Sequence, residues 1–314
     1  SRSSNNACQL ALRGTIGNAA YGAMISAAIC RAWLAFVLLS AAASASAQTA
    51  ERASSDRPDT SDGYQIHVIY AIPSNGKDRG LDTDGTIAAS LEIANDWLGE
   101  RTAGTKLRLD RLADGTLDIT FIRLSRSNRQ IRRARAWVRD EIEKEINALG
   151  FNHPKKVYLV YYGGSSNFAC GGGAWPPTLK GNTAALYLGT FINGTACYGT
   201  GFAAGGEAPR YGEFSAVHEV IHTLGLVAEC APHHTRAGHA SDRNTDLMYA
   251  GTLPWEPAEV DRDADDYFGH GVAGCPDLAN SAFVEPTVAA PELPPEWIAD
   301  ARCTYLGYGK RECE

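Results

Sequence analysis

The chain has 314 residues and a formal net charge of −7, with 36 acidic against 29 basic residues and 44% hydrophobic residues. That length suits one large domain or two small ones. An acidic balance with no basic stripe interleaved with aromatics excludes a nucleic-acid-binding role.

The first segment reads as a leader rather than as part of a domain. Arg31 precedes the apolar run Ala32 to Leu39, and Ser40 to Ala47 is almost entirely Ala and Ser. A basic residue, a short apolar stretch and a small-residue exit form a secretory signal pattern, with cleavage expected before Gln48. The run is too short for a stable membrane anchor, which needs about 20 apolar residues. Met24 is the natural start of this leader, so residues 1–47 are set aside, the signal spans about 24–47, and 1–23 receive no function. Arg2, Arg13 and Arg31 lie upstream of Gln48 and no acid does, so the exported chain is more acidic still. A secreted or periplasmic protein is expected.

Residues 48–63 are polar and read as a flexible lead-in or short propeptide, followed by one domain over 64–314. Gln65 to Ile72 is a strand. Asp84 to Leu98 has helical spacing at Ile87, Leu91, Ala94 and Leu98, with Asp or Thr caps near its start. Leu107 to Asp110 and Leu117 to Leu124 alternate as strands, and Asp114-Gly115 between them suits a hairpin. A long helix follows over about Asn128 to Leu149, with the arginines from Arg126 to Arg139 on its solvated face. Strands are expected at Lys156 to Tyr162 and Ala184 to Leu188. The Gly-rich stretch between them, Gly163 to Gly181, reads as a disulfide-tied surface loop. The order implies an α+β fold: a mixed twisted sheet flanked by helices, a helix over about 212–225, and a loop-rich lobe over 226–314.

Six cysteines lie beyond the leader. An even number in an exported chain favours disulfides, and order along the chain pairs Cys170–Cys197, Cys230–Cys275 and Cys303–Cys313. No Cys-x-x-Cys pair points to cysteine-bound zinc.

The run His218-Glu219-Val220-Ile221-His222-Thr223-Leu224-Gly225 carries the chemistry. Histidines four apart on a helix stack one above the other and can reach one metal ion. Glu219 then faces the open coordination position, where a carboxylate can take a proton from an attacking water. Gly225 suits a helix end that needs positive φ. A helix packed through Val217, Val220, Ile221, Leu224 and Leu226 would form without any metal, but a buried unpaired glutamate on its stripe would be costly. Downstream lies Asp246-Leu247-Met248-Tyr249, and Met24 and Met248 are the only methionines. Two acidic stretches, Asp82-Thr83-Asp84-Gly85 and Asp261 to Asp266, keep calcium as a second candidate cation beside zinc, although a helix cap and a solvated turn explain them as well.

From about Glu213 to Gly251 the chain resembles the metzincin clan of zinc proteases, and the upstream order of elements is compatible. The resemblance implies a zinc-dependent endopeptidase acting on protein or peptide, with Glu219 as general base and Met248 packed beneath the metal without binding it. Tyr249 would assist the oxyanion or stand behind the ligands, and Asp246 would orient a ligand histidine. In the clan the third ligand usually falls three residues after the glycine; here that position is Ala228, which cannot bind metal. Glu229, His233, His234, His239 and Asp242 lie nearby. His239 is favoured, because its segment closely precedes Asp246, with His234, His233 and Asp242 as alternatives. The region also resembles uncharacterised secreted bacterial metzincin-like proteins with a displaced third ligand. Two other functions share these residues: a non-catalytic zinc-containing binding domain, and a zinc amidase acting on a non-protein amide. The protein is expected to be a monomer.

Overall fold

The computed structural model describes residues 52–176 and 179–287, residue 291, and the backbone of strands 303–307 and 310–313. The described residues belong to one compact unit that begins at Arg52. The expected signal peptide lies outside the described residues.

The elements run β1 (Gln65–Ile72), α1 (Thr86–Arg101), β2 (Lys106–Leu107), β3 (Ile119–Arg123), α2 (Asn128–Arg132), α3 (Val138–Ala148), β4 (Lys156–Tyr162), β5 (Gly171–Gly172), β6 (Thr183–Tyr187), β7 (Phe191–Ile192), β8 (Thr195–Ala196), α4 (Tyr211–Thr223), β9 (His234–Thr235), β10 (His239–Ala240) and β11 (Val284–Glu285). A five-stranded sheet of order β3-β1-β4-β6-β5 forms the centre. Its first four strands are parallel, and β5 closes one edge antiparallel to β6. The fold is therefore α+β, with a mixed sheet flanked by helices.

Every residue of β1 and β4 is buried, which is why both read as near-continuous apolar runs. Alternate side chains serve opposite faces. Ile66, Val68, Tyr70 and Ile72 join Leu91, Val217, Val220 and Ile221 of α1 and α4 in one core. Ile69 and Ala71 join Ile142 and Ile146 of α3 in the other.

Several expectations need correction. Residues 52–62, expected within a flexible lead-in, are bound to the domain. Ala53 O accepts from Phe121 N, Arg57 Nε donates to Asp118 at 2.8 Å, and Lys156 Nζ donates to Asp56 and Asp59. Their polarity serves these pairs. The single helix expected over 128–149 is broken into α2, a short 3-10 turn over Arg135–Trp137, and α3, with Arg135 at positive φ. Arg139 leaves the solvated face altogether: it is 2% exposed and paired with Asp140 and Glu143. Leu107 to Asp110 and Leu117 to Leu124 meet only in a short hairpin at the Asp114-Gly115 turn, where Arg111 bridges Leu117, Leu112 N donates to Thr116 O and Asp118 N donates to Asp110 O. β2 pairs instead with β11, and β3 with β1. The Gly163–Gly181 stretch is not a surface loop throughout, because it supplies β5 and the buried Gly173 and Ala174.

Two disulfides are formed, Cys170–Cys197 and Cys230–Cys275. Cys303 and Cys313 are opposite each other in the backbone register of the last strand pair; their side chains lie outside the described residues. No helix among the described residues is long and apolar enough to cross a membrane.

Candidate metal centre

The site is built on α4. At its start, Glu213 accepts a hydrogen bond from Arg210 N at 2.9 Å and from Ser90 Oγ at 2.5 Å, which fastens this end of the helix to α1. At its end, Gly225 adopts φ 77° and its N–H reaches His222 O, while Leu226 N reaches Ile221 O. That left-handed turn ends the helix directly after His222. The helix spans 211–223 and so carries His218, Glu219 and His222, one turn apart for the two histidines.

The third histidine arrives from the β9–β10 hairpin. His222 Nε2 lies 2.9 Å from His218 Nε2 and 3.1 Å from His239 Nε2. These three are the histidine cluster among the described residues whose ligand atoms converge. The alternatives lie elsewhere. His233 turns to Asp266, and His234 Nδ1 sits 2.7 Å from Val227 O. Asp242 groups with His233 and Asp266, not with the triad. The methyl group of Ala228 has no ligand atom to offer. Leaving α4, the loop is tied through Cys230–Cys275 before it returns, so the hairpin closes on the helix from a distance in sequence.

The donor set fits a cation. His218 Nδ1 lies 2.7 Å from Leu247 O, and His239 Nδ1 lies 3.1 Å from Arg236 O. A carbonyl only accepts, so each Nδ1 carries the hydrogen and each Nε2 presents a lone pair. Those lone pairs converge with His222 Nε2, and no protein cation stands among them. His222 Nδ1 is buried without a partner. Burial, then His239, pushes His218 down to about 3. His222 is held well below its usual value by burial and by its two histidine neighbours, and His239 is also lowered, chiefly by burial. All three rings are therefore neutral at neutral pH, the form that binds metal.

Glu219 sits beside them in a buried wall. Burial pushes its carboxyl up to about 8, against the opposing effects of Gly173 N–H and Arg139. β5 lies so close that only glycine is accommodated: a Cβ at Gly171 would stand 2.5 Å from Glu219 Oε1, and one at Gly173 would stand 2.7 Å from His222 Cβ. Cys170–Cys197 and the Tyr198 hydroxyl, donating to Cys170 O at 2.8 Å, hold this edge strand in place.

The Met segment acts through its backbone. Leu247 O takes His218 Nδ1 and also Trp255 Nε1 at 3.1 Å, and the Trp255 ring lies 5.5 Å from that of His218. Met248 is fully buried, and its carbonyl accepts from Ala240 N next to His239. One short segment thus steadies the His218 ring and the backbone beside His239. Asp246, expected to orient a ligand histidine from behind, makes no hydrogen bond to a triad ring among the described residues. Its carboxylate instead accepts from Met248 N at 2.6 Å, Asp261 N at 2.8 Å and the Tyr267 hydroxyl, so it shapes the turn that carries Leu247 O. The Tyr249 hydroxyl accepts from Leu253 N at 3.3 Å; no hydrogen bond joins it to the triad among the described residues. The acidic stretches kept for calcium have protein partners, although Asp261, Asp265 and Asp266 also bring carboxylate oxygens within 4.8 Å of one another. Asp82 pairs with Arg52 and Asp84 caps Thr86 N. Asp261 accepts from the backbone of Asp265, Asp266, Tyr267 and Phe268.

Leu247 O, Arg236 O and the glycines at 171 and 173 were not identified from the sequence. Every residue has a carbonyl, so nothing in the chain marks the two that hold rings. The glycine triplet was a visible signal, read as loop composition.

No protein-family model matches the chain, and no curated protein does. Among solved structures, the chain is similar to OgpA from Akkermansia muciniphila in two crystal forms, each at 12% identity. One match has a TM-score of 0.30 over 57% of this chain and 52% of that one. The other has a TM-score of 0.35 over 68% and 60%. The chain thus spans a little over half the length of the structures it matches, and overlap this loose identifies neither fold nor function.

Proposed function

We propose that the protein is a secreted zinc-dependent endopeptidase of metzincin type. The observation that carries this reading is the convergence of three neutral imidazoles, His218, His222 and His239, with a buried glutamate adjoining the first of them. A zinc ion bound there supplies Lewis-acid polarisation of water and of the scissile carbonyl. The chain's own groups do the rest. Glu219 takes the proton that the attacking water loses and passes it to the leaving amine nitrogen. A carbon–oxygen bond forms, the carbon–nitrogen bond breaks, and the peptide leaves as a carboxylate and an amine. Burial raises the proton affinity of Glu219, which suits a group that must gain and release a proton near neutral pH. β5 is an edge strand, so an extended peptide can add to it and lie across the triad.

The test combines metal content with cleavage of casein or gelatin. The purified protein is expected to hold one zinc ion and to lose cleavage when phenanthroline is added. Glu219→Gln should keep the zinc and lose about 10²- to 10⁴-fold in turnover. Full activity in that variant would overturn the mechanism. Zinc without cleavage of any peptide would favour a non-catalytic binding domain, and cleavage confined to non-protein amides would favour an amidase.

A further inference from the structure

We infer that the cleft beside the triad is a side-chain pocket for an acidic substrate residue, a few positions from the scissile bond. The inference rests on the peptidase reading and adds a substrate class to it. The cleft has a volume of about 240 Å³ and is lined by Trp175, Leu226, Val227, Glu229, Arg236 and Gly238 among others. Its two walls belong to the site: one is the loop leaving α4, the other the turn of the hairpin that delivers His239. Gly238, at φ +74°, separates the cleft from the buried imidazole. A Cβ at that position would lie 3.3 Å from His222 Nδ1 and 3.6 Å from Trp175 Cβ. Trp175 comes three residues after β5, so a peptide extended along that edge, at about 3.3 Å per residue, runs on over the cleft.

Arg236 is the one permanently charged cation on the pocket wall, which also carries the acid Glu229. Its carbonyl holds His239 Nδ1, and its exposed side chain forms no ion pair among the described residues. The three ligand rings are neutral, so the ligands themselves do not offset the charge of a divalent ion held there. Trp175 and Leu226 offer apolar surface to the methylenes of a glutamate, and a guanidinium fork matches its carboxylate. A lysine in the same place would stand between Arg236 and the metal. Glu229, exposed at the outer end of the α4 loop, is the one acid on the wall and opposes the preference.

The experiment uses peptides identical except for Glu, Gln or Lys at each position around one cleavable bond. They are tested on the zinc-loaded protein and on Arg236→Glu, Arg236→Lys and Glu229→Gln. The readout is the Glu-to-Lys ratio of kcat/KM within each variant, so a general loss of activity cancels. The natural protein is expected to favour Glu at one position by about 100-fold, and Arg236→Glu to reverse that preference. Arg236→Lys should keep a weaker preference and Glu229→Gln a stronger one. An unchanged ratio in Arg236→Glu overturns the pocket and leaves the peptidase reading intact. If no peptide is cleaved, the peptidase reading fails, and calorimetry with the same peptides on the zinc-loaded protein still reads the pocket. Tighter binding of the Glu peptide, lost in Arg236→Glu, supports it; equal binding overturns it.

Discussion

Two buried polar clusters serve opposite faces of the same sheet, and they are built on opposite principles. One gathers Asp56, His67, Asp110 and Asp118 around β1. Lys156 Nζ reaches Asp56, Asp59 and Asp110 at 2.7, 2.5 and 2.9 Å, and Arg57 reaches Asp118. His67 closes the set on Asp110 and Thr120. Every acid here meets a positive group of the chain, and Asp110 is held below the usual carboxylate range by His67 and Lys156 despite its burial. The other cluster, His218, His222 and His239, has acceptors aimed at acceptors and no cation of its own. A self-satisfied cluster costs little to keep and has nothing left to offer a ligand. An unsatisfied one leaves its lone pairs available to a ligand from outside the chain. Proximity of ligand-type residues alone does not distinguish the two; the inventory of partners does.

The sharpest way to break the comparison is to remove one member from each cluster. His239→Ala leaves two protein ligands, and its zinc affinity is expected to fall by more than about 100-fold, beyond what losing an outer partner costs. His233→Ala removes only a half-exposed contact with Asp266, so zinc content is expected to stay unchanged. Elemental analysis of the purified variants decides it: full zinc in His239→Ala would show that the triad is not the binding set.

Lys156→Met should do the reverse. It leaves Asp110 buried beside other acids, so unfolding stability is expected to fall by about 3 kcal/mol, with zinc content untouched. Denaturant midpoints measure this, and an unchanged midpoint would mean that the cluster on β1 does not depend on its lysine.

Asp246 sharpens the comparison with a smaller effect, since it is a buried acid with hydrogen-bond donors but no cation. Burial pushes it up to about 7, although Met248 N, Asp261 N and Tyr267 oppose this. Its value in the unfolded chain is about 3.9. A raised folded value means that its contribution to stability is complete below about pH 4 and is lost as pH rises through about 7. The Asp246 share of the melting temperature is therefore expected to decline by a few degrees between pH 5 and 8, against the rise contributed by the depressed His218, His222 and His239. Asp246→Asn should remove that slope; an identical slope in the variant would assign it to other groups.

Much was legible in the chain because it was local. Alternation and apolar runs located β1 and β4 at their observed bounds, Gln65–Ile72 and Lys156–Tyr162, since a strand buried on both faces has little choice of composition. The spacing of His218 and His222 placed both on one helical stripe, because 3.6 residues per turn leaves no other arrangement. Gly225 marked the end of α4 for an equally local reason, the need for positive φ. The pairing of Cys170 with Cys197 and of Cys230 with Cys275 followed chain order.

Tertiary structure decided the rest. His239 could be favoured by its closeness to the Met segment, but its approach to His222 depends on how a hairpin and a disulfide-tied loop return, and no local rule sets that path. Which nitrogens carry hydrogen follows from two carbonyls, Leu247 O and Arg236 O, that look like any others in the chain. Gly171 and Gly173 lie against Glu219 and His222 only because β5 packs on α4, which turns apparent loop composition into a steric requirement. Arg139 and residues 52–62 carry surface-like composition and are nevertheless paired inside the domain. Their partners are distant in sequence, and burial of charge is determined by partners, not by residue type.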